Sequence, residues 1–379
     1  MAGSPAAPLL ADAHCHLQLS PLGGCVESTL RRAREKGVGA VMVCATHPDE
    51  FDAVERMAGL HDTASGSIMV LVSLGVHPFR AADVSAPPPS GAEAEAAWVA
   101  DVRNRIERSG RRIGIGECGL DRSPSGLARC PMDVQLAVFE AQVALAAELG
   151  LPLTVHCVRA VAHVATALRR HAPLRAPVVL HSWAGKPGAL GELTALGCVP
   201  SFSGAVCNPA FKAARSSAAA CAQDALLAET DSPDQLPVCM RDSRCGGGGR
   251  GAGEGHVGAA TAASVRAAGS AAATPRALPP AAATSGGGAQ GPCCSGASAA
   301  RSSGSANEPC NVSVVAEHLA AIRGERPAAL AARLSRNFVA TFGALDKDGH
   351  LERALGTRGA PTESKAKLAT GADAESAEP

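Results

Sequence analysis

The chain contains no tyrosine, and aromatic residues make up only 2% of its 379 positions. With alanine and glycine abundant, this is a compositional bias rather than an adaptation, and little function follows from it. Neither charge is in excess: 35 basic and 35 acidic residues give a formal net charge of zero. That excludes a highly basic protein built to coat nucleic acid, while leaving room for a local basic patch. No apolar run reaches the roughly 18–20 residues of a membrane span. The N-terminus lacks a basic segment followed by an apolar core, so no signal peptide is expected. Cysteine, by contrast, occurs 14 times. Cys15, Cys44, Cys118 and Cys157 fall inside apolar runs, where thiols serve as small apolar side chains. Free thiols in a reducing compartment, cytoplasm or nucleus, are the expectation. Cys293-Cys294 has no paired zinc-ligand spacing.

Short apolar runs alternate with helical segments along most of the chain. Strands are expected at Pro8–Leu10, Val38–Ala45, Ile68–Val76, Arg112–Gly116, Leu151–Val155, Pro177–Leu180, Cys198–Phe202 and Ala225–Asp231. Helices are expected at Val26–Lys36, Pro48–Leu60, Ala92–Arg108, Met132–Leu149, Arg159–His171, Gly188–Gly197 and Pro209–Ala220. Eight such units indicate an α/β fold with a parallel sheet closed as a (β/α)8 TIM barrel. From 240 to 306 the chain is Gly-, Ala- and Ser-rich with almost no large apolar residues, so a disordered insertion after the eighth strand is expected. Two helices, Val312–Arg323 and Pro327–Phe342, complete the barrel unit, which spans 1–239 and 307–345. The tail, 346–379, reads as polar and disordered.

The barrel reading gives meaning to Asp12-Ala13-His14-Cys15-His16. On a strand His14 and His16 face one way, and two converging imidazoles make half of a metal site. Alone, a His-X-His pair is common and carries little. Yet His16, His77, Glu117, His156, His181 and Asp231 each sit near the C-terminal end of a different expected strand. In a closed barrel those ends meet on one face, where active sites lie.

The ordered motifs resemble those of the TatD-type deoxyribonucleases, metal-dependent hydrolases related to the amidohydrolase-like barrels. The matching segments are Asp12-Ala13-His14-Cys15-His16, Gly75-Val76-His77-Pro78, Gly116-Glu117-Cys118-Gly119-Leu120-Asp121, Leu151–His156, His181–Gly185, Glu229-Thr230-Asp231-Ser232-Pro233 and Asn307-Glu308-Pro309. The resemblance implies two divalent ions (Mg, Mn or Zn). His14, His16 and Asp231 would hold one ion; Glu117 would bridge to a second held by His156 and His181. It also implies a DNA substrate, single-stranded or approached from an end, and no membrane partner. Asp231 would act as general base for water, with Glu117 equally part of the catalytic pair. Asp12 and Asp121 are either groups that orient histidines and loops or structural acceptors. His77 is either a substrate-phosphate contact or a packed loop histidine.

Two departures from the family pattern stand out. Many members place an arginine two residues after the histidine of the fifth strand; here Arg159 follows His156 by three. Arg159 is the phosphate-binding candidate, since guanidinium matches phosphate geometry. Phe79, Trp183 and Phe202 are the aromatics left near strand ends, as base-stacking surfaces or as rim packing. The second departure is the insertion, either a weak electrostatic tether for nucleic acid or a tolerated addition without a role. The leading expectation is a nuclease hydrolysing DNA phosphodiesters from an end. The alternatives are a hydrolase of a small amide, ester or phosphoester, and a non-catalytic relative, because one barrel hosts many chemistries.

Overall fold

In the computed structural model, residues 9–85, 96–110, 112–241 and 306–357 are described. The strands are β1 (Leu10–Cys15), β2 (Val38–Cys44), β3 (Gly59–Thr63), β4 (Gly66–Leu74), β5 (Ile113–Asp121), β6 (Leu153–Val158), β7 (Val178–Leu180), β8 (Cys198–Phe202) and β9 (Leu227–Ala228). Val, Ile, Leu and Cys dominate them, and β1, β2 and β5 are buried along their whole length. Continuous burial of this kind is what a parallel sheet covered on both faces requires. The order β1-β2-β4-β5-β6-β7-β8-β9 is parallel throughout. Beyond β9 the Asp231 N–H donates to the His14 carbonyl at 2.9 Å and the His16 N–H to the Ser232 carbonyl at 2.7 Å. These bonds bring the last strand back to the first, giving the nearly closed eight-stranded parallel barrel that the alternation predicts.

Three expectations need correction. The helix expected over Pro48–Leu60 is a short turn followed by Phe51–Glu55 only. The chain turns after it, and β3, starting at Gly59 with φ of 124°, pairs antiparallel with β4 from Gly59↔Val70 to Thr63↔Gly66. β3 sits outside the barrel path, its residues alternating between half-buried and exposed. The eighth barrel strand is two residues long, so Glu229, Thr230 and Asp231 stand in the loop after it. The third correction concerns the tail: His350–Leu355 is a helix with Leu351 and Leu355 buried against β2 and β4. The polar residues around it conceal one apolar face. Of the insertion expected over 240–306, residues 242–305, including Cys293 and Cys294, lie outside the described residues, as do the Pro87–Pro89 stretch and 358–379. Every described cysteine is a free thiol. No helix among the described residues is long and apolar enough to cross a membrane.

The helix Met132–Leu149 coincides with its sequence expectation and ends at Gly150 in the left-handed conformation. It does more than cover β5. Gln142 accepts from the Val76 N–H at 2.8 Å and donates to the Val76 carbonyl at 3.1 Å. Gln135 does the same for Asp121, at 2.8 and 3.1 Å. Buried amides thus hold the backbone that carries His77 and Asp121.

Leu355→Ala is expected to destabilise the protein by about 2–4 kcal/mol, the usual result of emptying a fully buried leucine site. Denaturant unfolding measures it. A loss below about 0.5 kcal/mol would show that this helix does not pack on the barrel.

Candidate metal centre

The centre is assembled on the C-terminal face by strands that share almost no sequence neighbourhood. β1 supplies His14 and, one residue past its end, His16. β5 supplies Glu117, β6 His156, and the turns after β4, β7 and β9 supply His77, His181 and Asp231. Close strand approach is part of the construction. A Cβ on Gly119, whose φ is 138°, would lie 2.0 Å from the His156 carbonyl oxygen. Only glycine fits there, and the contact sets Asp121 beside His156.

The side chains converge on Glu117, which is 2% exposed. Its Oε2 lies 3.3 Å from both His14 Nε2 and His16 Nε2. Its Oε1 lies 2.9 Å from His181 Nε2, 3.2 Å from His156 Nδ1 and 3.4 Å from His77 Nε2. Asp231 Oδ1 stands 3.6 Å from His14 Nε2 and 3.5 Å from His16 Nε2. Three donor groups result: His14 with His16 and Asp231, His14 with Glu117 and His181, and His77 with Glu117 and His156.

Neighbouring contacts decide which ring atoms are free to ligate. His16 Nδ1 donates to the Cys44 carbonyl at 2.8 Å, leaving Nε2 with its lone pair toward the cluster. His156 is oriented oppositely: Nε2 faces Asp121 Oδ2 at 3.3 Å, and Nδ1 points inward. His181 Nδ1 faces buried Glu229 Oε1 at 3.4 Å. In His77 the Nδ1 accepts from the Phe79 N–H at 3.1 Å, so in the neutral ring Nε2 carries the hydrogen. In the neutral ring His77 is therefore arranged as a donor toward Glu117.

Bringing these atoms together has an electrostatic consequence. His14 Nε2 and His16 Nε2 are 3.1 Å apart, and His156 Nδ1 and His181 Nε2 are 3.0 Å apart. Two lone pairs at such distances repel unless a proton or metal ion lies between them. Burial works against charged imidazoles, yet Asp231 and Glu117 hold His16, and Glu117 and Glu229 hold His181, well above the ordinary histidine range. Burial and the charge of His181 pull His14 below that range. Burial raises the Asp231 carboxyl, but hydrogen bonding to His16 and the charges of His181 and His14 prevail and hold it at about 2. For Glu117 too the imidazoles outweigh burial and keep it well below the usual carboxylate range. Imidazole nitrogens beside carboxylates suit a divalent ion such as zinc, so these residues fit metal binding.

The remaining candidates divide. Asp12, fully buried, touches no imidazole; it accepts from Thr230 N–H at 2.8 Å and from the Thr230 hydroxyl. It ties β1 to the loop bearing Asp231. Burial pushes its carboxyl up to about 8 against those bonds. Asp121 orients His156. Arg159 is exposed, in the left-handed region with φ of 55°, and no ion pair holds it among the described residues. Trp183 is 3% exposed and Phe202 fully buried, so both belong to the packing and neither offers a face to a base. Phe79 is half-buried, edge-on to His77, with the Arg129 guanidinium 4.7 Å from its ring centre. Glu229, Gln235 and Asn307 were given no role from sequence. Glu229 accepts from the Ser182 N–H at 2.7 Å, and Asn307 donates to the Thr230 and Asp234 carbonyls at 2.9 and 2.8 Å.

Fold and centre together define a metal-dependent hydrolase barrel, and comparison with known proteins gives its family. The family described as TatD related DNase matches residues 11–343. The chain is 31% identical over 219 residues to the 3'-5' ssDNA/RNA exonuclease TatD of Pantoea ananatis, covering 57% of this chain and 76% of that protein. It is 26% identical over 236 residues to a Bacillus subtilis protein, YabD, named an uncharacterized metal-dependent hydrolase, covering 62% and 85%. Among solved structures, the Escherichia coli TatD homologue YjjV has the same fold, with a TM-score of 0.61 at 21% identity over 88% of this chain and 98% of that one. A TatD-family hydrolase from Entamoeba histolytica gives a TM-score of 0.59 at 14% identity over 88% and 97%. The chain belongs to the TatD-related DNase family.

Because His16 and His181 hold protons above the ordinary histidine range, a metal ion must displace protons to bind. Affinity for Mn²⁺ or Zn²⁺ is expected to rise with pH and to fall as pH drops toward about 5. Calorimetry in buffers of different ionisation enthalpy should register proton release near neutral pH. Uptake with no proton release would contradict the arrangement of donors.

Proposed function

We propose that this protein hydrolyses phosphodiester bonds in DNA, shortening single strands from an end, with two divalent ions. The observation that carries the reading is the division of Glu117: one carboxylate oxygen faces His14 and His16, the other His156 and His181. We assign His14, His16 and Asp231 to the first ion, His156 and His181 to the second, and Glu117 to both. Ions so held supply Lewis acidity to a phosphoryl group and lower the pKa of water.

The chain's own groups do the rest. Asp231, with 13% of its side chain exposed against 3% for Glu117, is the carboxylate open enough to take a proton from the attacking water. His77, arranged as a donor, is assigned to a phosphoryl oxygen. Arg159, exposed and without an ion pair among the described residues, is assigned to a neighbouring phosphate. Phe79, rather than Trp183, is the stacking surface. Attack from the 3' end and the single-stranded preference draw support from the Pantoea relative, whose name specifies a 3'-5' ssDNA/RNA exonuclease.

The test is direct. Purified protein with magnesium, manganese or zinc is incubated with 5'-labelled single-stranded DNA. Progressive shortening is expected, abolished by EDTA and restored by added metal. Glu117→Ala should lower turnover by more than about 100-fold, beyond the loss typical of an outer partner of a metal ligand, while the protein remains folded. Hydrolysis of a small phosphodiester without any action on DNA would favour the small-substrate alternative. Near-normal turnover by the Glu117 variant at saturating metal would sink the two-ion assignment.

A further inference from the structure

Asp231 stands beyond the end of β9, so strand pairing does not hold its side chain. Its carboxylate is held instead by Gln235. The Gln235 amide donates one hydrogen to Asp231 Oδ2 at 2.6 Å and the other to Ser182 Oγ at 2.6 Å. Ser182 Oγ lies 2.8 Å from Ser203 Oγ, and the Ser203 hydroxyl donates to Gln235 Oε1 at 2.6 Å. One arrangement of hydrogens satisfies the whole set: Ser182 accepts from Gln235 and donates to Ser203, which donates back to Gln235. Reversing the amide would set its carbonyl against the Asp231 carboxylate. The ring of three side chains therefore fixes which end of the amide meets Asp231. With Oδ2 occupied, Oδ1 is the oxygen left facing His14 and His16.

The backbone shows that this geometry is imposed. The described non-glycine residues with positive φ are Arg159, Ser182, Asp231 and Gln235. Three of them belong to the ring or to the carboxylate it holds. Such conformations persist only where the surroundings over-determine them. Space has also been cleared for Gln235: a Cβ on Gly204 would lie 2.1 Å from its carbonyl oxygen.

We propose that Gln235 is a positioning residue that aims Asp231 Oδ1 at the first metal position, with Ser182 and Ser203 locking its amide. The proposal rests on the reading of Asp231 as a metal ligand. It adds a coupling, since Ser182 follows His181, so one amide sets the carboxylate of one ion and braces the turn carrying a ligand of the other.

The test is metal affinity, measured by titrating Mn²⁺ or Zn²⁺ into wild type, Gln235→Met, Asp231→Asn and the double variant. Methionine keeps the length of the side chain and removes the donor. Gln235→Met is expected to weaken binding about 10-fold, within the range for outer partners of metal ligands. In the Asp231→Asn background it should change affinity less than twofold, because the group it positions is altered. At fixed limiting metal, kcat on an oligonucleotide should fall with KM nearly unchanged. Wild-type affinity in Gln235→Met, or an equal loss in both backgrounds, would overturn the proposal. Should Gln235→Met fail to fold, Ser203→Ala removes the bond to Oε1 and the Ser182–Ser203 bond while leaving the donor to Asp231 in place. A loss of about 3-fold supports the inference, and unchanged affinity overturns it. Metal titration needs no DNA. A wild type that binds metal in this Gln235-dependent way but leaves DNA intact would sink the nuclease reading and leave the positioning role standing.

Discussion

A carboxylate buried among imidazoles is the constraint on which this barrel turns. Glu117 is 2% exposed, and an uncompensated charge at such depth costs several kcal/mol. The chain compensates it from several directions at once, with His14 and His16 on one oxygen and His156, His181 and His77 on the other. Positive charge can reach this cluster as protons on the imidazoles or as divalent ions between them. The electrostatics that hold His16 and His181 protonated are those that would hold cations.

Around this cluster, a second set of groups decides which atom of each side chain is available. The Cys44 carbonyl takes one nitrogen of His16, Asp121 faces one of His156, and Gln235 takes one oxygen of Asp231. The same residue type thus presents opposite atoms, Nε2 in His16 and Nδ1 in His156. These partners are themselves fixed: Asp121 by Gln135 at its backbone, Gln235 by two serines. Orientation propagates outward until it reaches rigid helix and strand, which is how a site assembled from distant segments keeps its geometry.

Much of this was legible in the sequence. Apolar runs ending in His or Glu gave both the strands and the shared face, because parallel strands are buried throughout and polar residues interrupt them only at the site. What was illegible lacked a periodic signal. β3 begins at a glycine and has one large exposed apolar residue, Leu60, so it reads as the continuation of a helix. The helix His350–Leu355 carries its apolar residues among charges in a short segment. Trp183 sits at a strand end like the ligands do, but position along a strand does not reveal that its ring packs inward. Gln235 lies in a loop with left-handed backbone, where neither the helical nor the strand period applies. Only the fold brings it to Asp231, Ser182 and Ser203.

The long Gly-, Ala- and Ser-rich stretch of the sequence adjoins this loop, and the loop is fastened on both of its sides. Asp231 and Gln235 precede the long Gly-, Ala- and Ser-rich stretch, and Asn307 follows it. Asn307 closes the connection itself: its N–H donates to the Pro233 carbonyl at 2.9 Å, and its amide to the carbonyls of Thr230 and Asp234 at 2.9 and 2.8 Å. Glu308 adds an ion pair to Arg32, 2.7 Å from Nε. Lengthening a connection about tenfold raises its closure free energy by only about 2 kcal/mol, because that term grows with the logarithm of length. Three hydrogen bonds to buried or part-buried backbone, each worth about 1 kcal/mol net, are of a size to offset it. The loop holding Asp231 is thus fastened from both sides, by Asp12 through Thr230 and by Asn307 through Thr230, Pro233 and Asp234. Those anchors, rather than strand pairing, hold its geometry.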